Sequence, residues 1–334
     1  MTSLVAVVPR EEGEAARRRL DEAGVLRRDR RIAARDGELL IPLSGEVSLG
    51  YPLERHDLPV RETRPRTYRD VVRVPEDLRS LLPRSFDVLG HVVILRLAEE
   101  LRPFEAAIGA GFLQVHRGAQ TVAVDQGVRG PFRRRTLRVI AGKAGTRTLH
   151  REYGLSLALD PAEVHFSPRM ASERRRVAGL IRDGEVVVDA FSGVGPFALH
   201  AARAGAGRVY AVDANPRAVA FLRENIRRNR AEAVLPLEGP IEEVLPQLEP
   251  ADRFILDYPW DPLPYVPLAA HALKDTGVLH YYEILDRTER EERIEALRDG
   301  VPADRSLRVE GIREVRGYSP TQVHFAFDLR IGRA

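Results

Sequence analysis

Apolar positions along this chain switch between the strand and helix periods, and the switches are sharpest in the second half. Val186-Val187-Val188 is a β-branched run that packs well on a pleated surface. It leads through Asp189-Ala190-Phe191-Ser192-Gly193-Val194-Gly195-Pro196-Phe197, where glycines permit a tight turn and proline suits a first helical turn. The pattern predicts a buried strand over 186–190, a glycine loop and a helix over 196–204. Further strands are expected over 208–213, 234–237, 254–257 and 277–282, with a helix over 216–229. Residues 307–316 and 323–331 alternate like an antiparallel hairpin. Together these elements give an α/β fold, a seven-stranded, mostly parallel, doubly wound sheet closed by an antiparallel pair.

Two regions precede it. Residues 1–60 read as a small module, with strands over 5–8 and 39–43 and an amphipathic helix over 11–23. Residues 61–168 read as an α+β region, entered by an Arg/Pro/Thr-rich linker over 56–68. Residues 82–95 lead from a turn into a strand, and a helix over 101–109 and strands over 121–124, 136–140 and 155–159 follow. The sheet domain then occupies 169–334, and Ser172 is placed to cap its first helix.

Composition changes the picture in three respects. There is no cysteine, which excludes disulfides, cysteine nucleophiles and thiolate-ligated zinc, and no metal site is expected. No apolar run is long enough to span a bilayer and no secretory pattern opens the chain, so a cytoplasmic protein is expected. The net charge is only +3, yet Lys143 and Lys274 are the only lysines. The bland reading of that usage is a base-composition bias, and the functional one is phosphate recognition. The clustering of arginine over 129–138 and 169–176, just before the glycine loop, suits phosphate recognition by planar guanidinium groups.

A glycine loop between two parallel strands, with an acid at the second strand tip, is a nucleotide cradle. Gly193-Val194-Gly195-Pro196-Phe197-Ala198 matches the dinucleotide fingerprint, but Asp189 directly precedes the loop. A pyrophosphate is repelled there, whereas a cationic α-amino group is attracted. Asp213 suits ribose hydroxyls in either case.

The pattern resembles the class I S-adenosylmethionine-dependent methyltransferases, with a Rossmann-like domain. Three further stretches sharpen it: Phe132-Arg133-Arg134-Arg135-Thr136-Leu137, Thr148-Leu149-His150-Arg151-Glu152-Tyr153-Gly154 and His165-Phe166-Ser167-Pro168-Arg169-Met170-Ala171-Ser172-Glu173-Arg174. They resemble signatures of the archaeal and eukaryotic tRNA (guanine-37-N1)-methyltransferases and of their relatives, the wybutosine-pathway aminocarboxypropyltransferases. The first 55 or so residues resemble that family's small tRNA-contacting domain.

The resemblance implies methyl transfer from S-adenosylmethionine to N1 of guanosine-37 in the tRNA anticodon loop, and a monomer is expected. The alternatives are aminocarboxypropyl transfer and a non-catalytic RNA-binding relative. It implies Glu173 as general base and Arg133 or Arg135 as the donor to guanine O6. The cofactor residues it implies are Arg169, Asp189, Phe191, Gly193, Gly195, Pro196, Phe197, Asp213, Ala214, Asn215 and Asp257. For the substrate it implies Arg174, Asp257, Tyr258, Pro259 and Trp260. Two positions depart from the family. The fourth strand ends Asp257-Tyr258-Pro259-Trp260 where Asn-Leu-Pro or a near variant is usual, and Pro240 replaces an acid after Gly239.

Overall fold

The computed structural model describes residues 2–61 and 65–334; residues 62–64 of the expected linker lie outside the described residues. The chain divides into two compact units, Met1–Arg66 and Thr67–Ala334.

In the first unit, four antiparallel strands run in the order Ala33–Arg35, Glu38–Leu43, Ser3–Pro9, Leu53–His56. The helix Gly13–Glu22 buries Ala16 and Leu20 against Ala6, Val8, Ile41 and Leu43. Val5, Val7 and Leu40 face the other side, where Leu58 covers them. Both faces of the first strand are therefore covered, which explains four consecutive apolar residues where one-sided burial would alternate. Arg17, Arg27, Arg28, Arg30, Arg31 and Arg61 line a cavity of about 480 Å³ in this unit.

The second unit opens with a four-stranded sheet in the order Phe86–Leu89, Val92–Leu95, Thr121–Arg129, Arg134–Gly142. The single strand expected after residue 82 is a hairpin turning at Gly90, and the helix expected over 101–109 is Glu105–Val115. The turn before that helix, Glu99–Phe104, is a 3-10 helix containing Pro103, which has no amide hydrogen to donate. A separate antiparallel pair follows, Thr148–Glu152 with Leu155–Leu159.

The seven-stranded sheet consists of β1 (Val186–Asp189), β2 (Arg208–Asp213), β3 (Val234–Glu238), β4 (Ala251–Leu256), β5 (Leu273–Asp286), β6 (Arg305–Gly317) and β7 (Gln322–Arg333). Its order is β3-β2-β1-β4-β5-β7-β6, parallel through β5 and antiparallel for β7 and β6. Pro236 lies in edge strand β3, where a missing amide hydrogen is tolerated. The helices α1 (Ala171–Ala178), α2 (Pro196–Arg203) and α3 (Pro216–Asn229) pack around one end of it.

Helix α3 is tied down by two asparagines. Asn225 is fully buried; its Nδ2 donates to the carbonyls of Ala158 and Val194 and its Oδ1 accepts from the Ala158 amide. Asn229 makes the same two-way contact with the Ser156 backbone. The strand Leu155–Leu159, the glycine loop and α3 are thereby fixed to one another.

Candidate active site at the carboxyl ends of β1, β2 and β4

The strand order reverses direction between β1 and β4, and open α/β sheets bind ligands at such a switch point, beyond the carboxyl ends of the strands. A cavity of about 320 Å³ lies there. Its floor is the turn after β1. Gly193 and Gly195 have φ of +55° and +87°, a region that favours glycine, and a Cβ on Gly195 would meet Leu222 Cδ1 at 2.3 Å. Pro196 then starts α2 at its first position.

Asp213 sits at the end of β2 and lines the cavity. It accepts from the Gly193 amide at 2.7 Å and the Asn215 amide at 2.8 Å, which fixes both edges of the cradle. Burial raises its pKa while those amides oppose the rise. Asn215 caps α3 by accepting from the Arg217 amide. Phe191 stacks on Tyr258 with centroids 4.7 Å apart, and Tyr265 meets both edge-on. Ser192 Oγ is buried with no partner beside these groups. Polar caps on an otherwise aromatic and glycine-lined cleft fit an adenosine with ribose hydroxyls at Asp213.

Phe191, Gly193, Pro196, Phe197, Asp213, Ala214, Asn215, Arg174, Asp257, Tyr258, Pro259 and Trp260 all line this cavity, as does Arg133. Arg133 arrives from a turn closed by its amide donating to the Gly130 carbonyl, in a left-handed conformation at φ +49°. That backbone costs a non-glycine residue about 1 kcal/mol. Its guanidinium lies 3.6 Å from the centre of the Trp260 ring.

Other expected residues lie outside the cavity wall. Arg135 is held by Asp87 at 3.2 Å and Asp125 at 3.7 Å. Arg169 is held by Asp87 at 2.9 Å and is half-exposed. Asp189 is buried behind the loop, accepting from the Ala198 amide in α2 at 3.1 Å. Burial, followed by the neighbouring Asp257 charge, raises its pKa well above the usual carboxylate range. Gly195 shapes the turn without reaching the cavity surface.

Glu173 is also behind the wall, with its side chain 4% exposed. Arg176 donates to both its oxygens and Tyr282 donates to Oε1 at 2.9 Å. Arg176 is held in turn by Asp328, and Asp328 by His280 at 2.6 Å. Arg174 lines the cavity, and its guanidinium forms a buried pair with Glu152 at 2.5 Å, a carboxylate shared with His200 at 3.0 Å.

Three basic residues that the sequence did not assign to the site also line the wall: His165, Arg316 and His324. His324 is the one polar side chain in Val323-His324-Phe325-Ala326-Phe327, and that interruption of an apolar run was its signal. Arg316 is its register partner across the β6–β7 ladder. His324 Nε2 lies 3.9 Å from Asp257 Oδ1, and neither ring nitrogen has a hydrogen-bond partner. Burial and the Arg316 charge push its pKa down to about 3, so the imidazole is neutral. Burial pushes Asp257 up to about 6 against the opposing charges of Arg174 and Arg316. Among the described residues no group of three or more His, Asp or Glu side chains could hold a metal ion, and no helix is long and apolar enough to cross a membrane.

This strand order, with its glycine loop after β1 and acid at the tip of β2, defines a class I, Rossmann-like methyltransferase fold. Residues 148–303 match the TRM5/TYW2 methyltransferase domain, residues 69–146 the TYW2 N-terminal domain and residues 7–48 the tRNA methyltransferase 5 N-terminal domain. The tRNA (guanine(37)-N(1))-methyltransferase Trm5b of Pyrococcus abyssi is 38% identical over 98% of this chain and 99% of its own length. Its crystal structure superposes with a TM-score of 0.86, covering 99% of each chain. A structure of aTrm5 in complex with tRNALeu superposes with a TM-score of 0.82 at 28% identity, covering 98% of this chain and 99% of that one. The tRNA(Phe) (4-demethylwyosine(37)-C(7)) aminocarboxypropyltransferase of Pyrococcus horikoshii is 30% identical over 77% of this chain and 93% of its own. The chain belongs to the TRM5/TYW2 family of tRNA-modifying transferases.

Proposed function

We propose that this chain transfers the methyl group of S-adenosylmethionine to N1 of guanosine-37 in the tRNA anticodon loop. The observation that carries this over aminocarboxypropyl transfer is coverage. The similarity to the Pyrococcus abyssi methyltransferase runs through the first unit, whereas the aminocarboxypropyltransferase matches only 77% of the chain.

S-adenosylmethionine supplies an activated methyl group when bound. Asp213 accepts from its ribose, and the cleft of Phe191, Ala214, Ala218 and Tyr265 takes its adenine. Arg133 aims at O6 of the acceptor base, where a cation stabilises the negative charge that develops as N1 loses its proton. Trp260 and Tyr258 offer faces for a base splayed out of the loop. The arginine-lined cavity of the first unit adds phosphate contacts, so tRNA affinity falls with salt. The protein acts as a monomer in the cytoplasm, where tRNA is available. The test is mass analysis of tRNA nucleosides after incubation with S-adenosylmethionine. 1-Methylguanosine at position 37 supports the reading, and an aminocarboxypropyl adduct refutes it.

A further inference from the structure

Most arginines around the cavity are neutralised by acids. Arg174 pairs with Glu152, Arg176 with Glu173 and Asp328, and Arg135 and Arg169 share Asp87. On β6 itself, Arg313 pairs with Asp328 and Glu314 with Arg287. Arg316 differs from all of these. It lines the cavity, its Nε is buried with no hydrogen-bond partner, and no acid among the described residues pairs with it. Asp87 and Asp257 act on it only from a distance. Burial, followed by the like charge of Arg169, lowers its pKa. A guanidinium still keeps its proton at neutral pH, so Arg316 brings an uncompensated cation to the wall. A partly buried donor without a partner costs free energy that a bound anion offsets.

Its position selects the anion. β7 runs against β5 and β6 against β7, so the carboxyl end of β6 lies on the side where β1, β2 and β4 end. β1, β4, β5 and β7 all stand between β6 and β2 in the sheet. Arg316 therefore enters the cavity from the side opposite the ribose acceptor Asp213, and away from the adenosine cleft. Tyr318 follows two residues later at the hairpin turn, half-exposed, with its amide donating to the Gln322 carbonyl. An exposed aromatic face next to a free guanidinium suits a nucleotide, with a base against the ring and a phosphate on the planar fork.

We infer that Arg316 anchors the acceptor RNA: its guanidinium takes a phosphodiester flanking the nucleotide whose base enters the cavity, an assignment that rests on the proposed action at guanosine-37. A base that leaves its stack needs its backbone held, and phosphate contacts supply position without reading sequence. Arg133 and Arg316 then divide the acceptor between them, one facing O6 of the base and the other the backbone that carries it. Arg316 is a positioning residue. It moves no proton and forms no covalent bond.

The test measures binding of an anticodon stem-loop RNA bearing guanosine-37 to the full chain saturated with S-adenosylhomocysteine. Wild type, Arg316→Ala and Arg316→Lys are compared. Arg316→Ala is expected to weaken binding about 10-fold at low salt and to reduce the slope of log affinity against log salt by about 1. Arg316→Lys, which keeps the charge but not the fork, is expected to keep the wild-type slope and recover part of the affinity. A stem-loop with one neutral methylphosphonate, on the 5′ or the 3′ side of residue 37, locates the contact. One of these two linkages is expected to cost wild type about 10-fold and Arg316→Ala less than about 2-fold. Calorimetric affinity of Arg316→Ala for S-adenosylmethionine should match wild type, and its Tm should be no lower, since no acid loses a partner. Equal salt slopes for wild type and Arg316→Ala, or a linkage penalty that persists in the variant, overturn the assignment. So does weakened S-adenosylmethionine binding, which would put the cofactor's carboxylate at Arg316, and so does a large fall in Tm, which would make the residue structural. None of these readouts needs turnover. A protein that binds the stem-loop through Arg316 yet leaves guanosine-37 unmethylated overturns the proposed function and not the anchor.

Discussion

The Arg133 guanidinium stacks on the indole of Trp260, 3.6 Å from the ring centre, inside the cavity. A cation held on an aromatic face is a store of donors that a base can displace or share. Trp260 is the only tryptophan in the chain, so its emission reports on this pair alone. Anticodon stem-loop RNA is expected to change that emission along the same curve as filter binding. Arg133→Ala should lower the single-turnover rate by about 100-fold, the loss of one oxyanion donor, with a smaller loss of RNA affinity. Unchanged emission at saturating RNA would place the base elsewhere.

Asp213 organises the cofactor cradle through the Gly193 and Asn215 amides. Asp213→Ala removes those two contacts and the expected ribose contact together. Calorimetry should show S-adenosylmethionine binding weakened by about 10-fold or more, from hydrogen bonds to a charged group worth about 1.5–3 kcal/mol. Wild-type affinity would mean that the ribose sits away from β2.

Asn225 joins three segments through three buried hydrogen bonds. Asn225→Leu leaves the Ala158 amide and two carbonyls without partners, at about 1–3 kcal/mol for each unsatisfied group. Thermal unfolding should show a large fall in Tm, together with weakened cofactor binding because Val194 belongs to the glycine loop. A Tm equal to wild type would show that water replaces the amide at no cost.

Glu152 gives the fold an acid-labile arm. Burial pushes its pKa up, but Arg174 and His200 more than offset that and hold it at about 2. An unfolded glutamate titrates at about 4.3. The folded value is the lower, so this stabilisation is complete above about pH 4.3 and is lost as pH falls toward 2. Glu152→Gln should lower stability at pH 7 by about 3–5 kcal/mol, since it leaves Arg174 buried without a counter-charge, and should flatten the acid arm of the stability curve. Urea melts between pH 2 and 7 measure both; parallel curves for the two proteins would contradict this.

Local pattern carried much of this fold. Helix α3 and strand β2 have the bounds that their apolar spacing predicts, because both have one buried and one exposed face and firm punctuation, Pro216 and Asp213. The glycine loop and the Asp213 and Asp257 strand ends were legible for the same reason. The burial of Glu173 was not, since an acid in a first helical turn looks like a solvated dipole partner. Its burial depends on Arg176 one turn on and Tyr282 in β5, 109 residues away. His324 and Arg316 enter the wall only through the antiparallel β6–β7 ladder. Alternation reveals that strands exist there, but it does not specify which strand end they are laid against.

The most direct measurement of the central claim is nucleoside mass analysis of a guanosine-37 tRNA transcript after incubation with this protein and methyl-labelled S-adenosylmethionine. The account predicts labelled 1-methylguanosine, absent when position 37 is adenosine. An aminocarboxypropyl adduct, or methylation that persists in the adenosine-37 transcript, would contradict it.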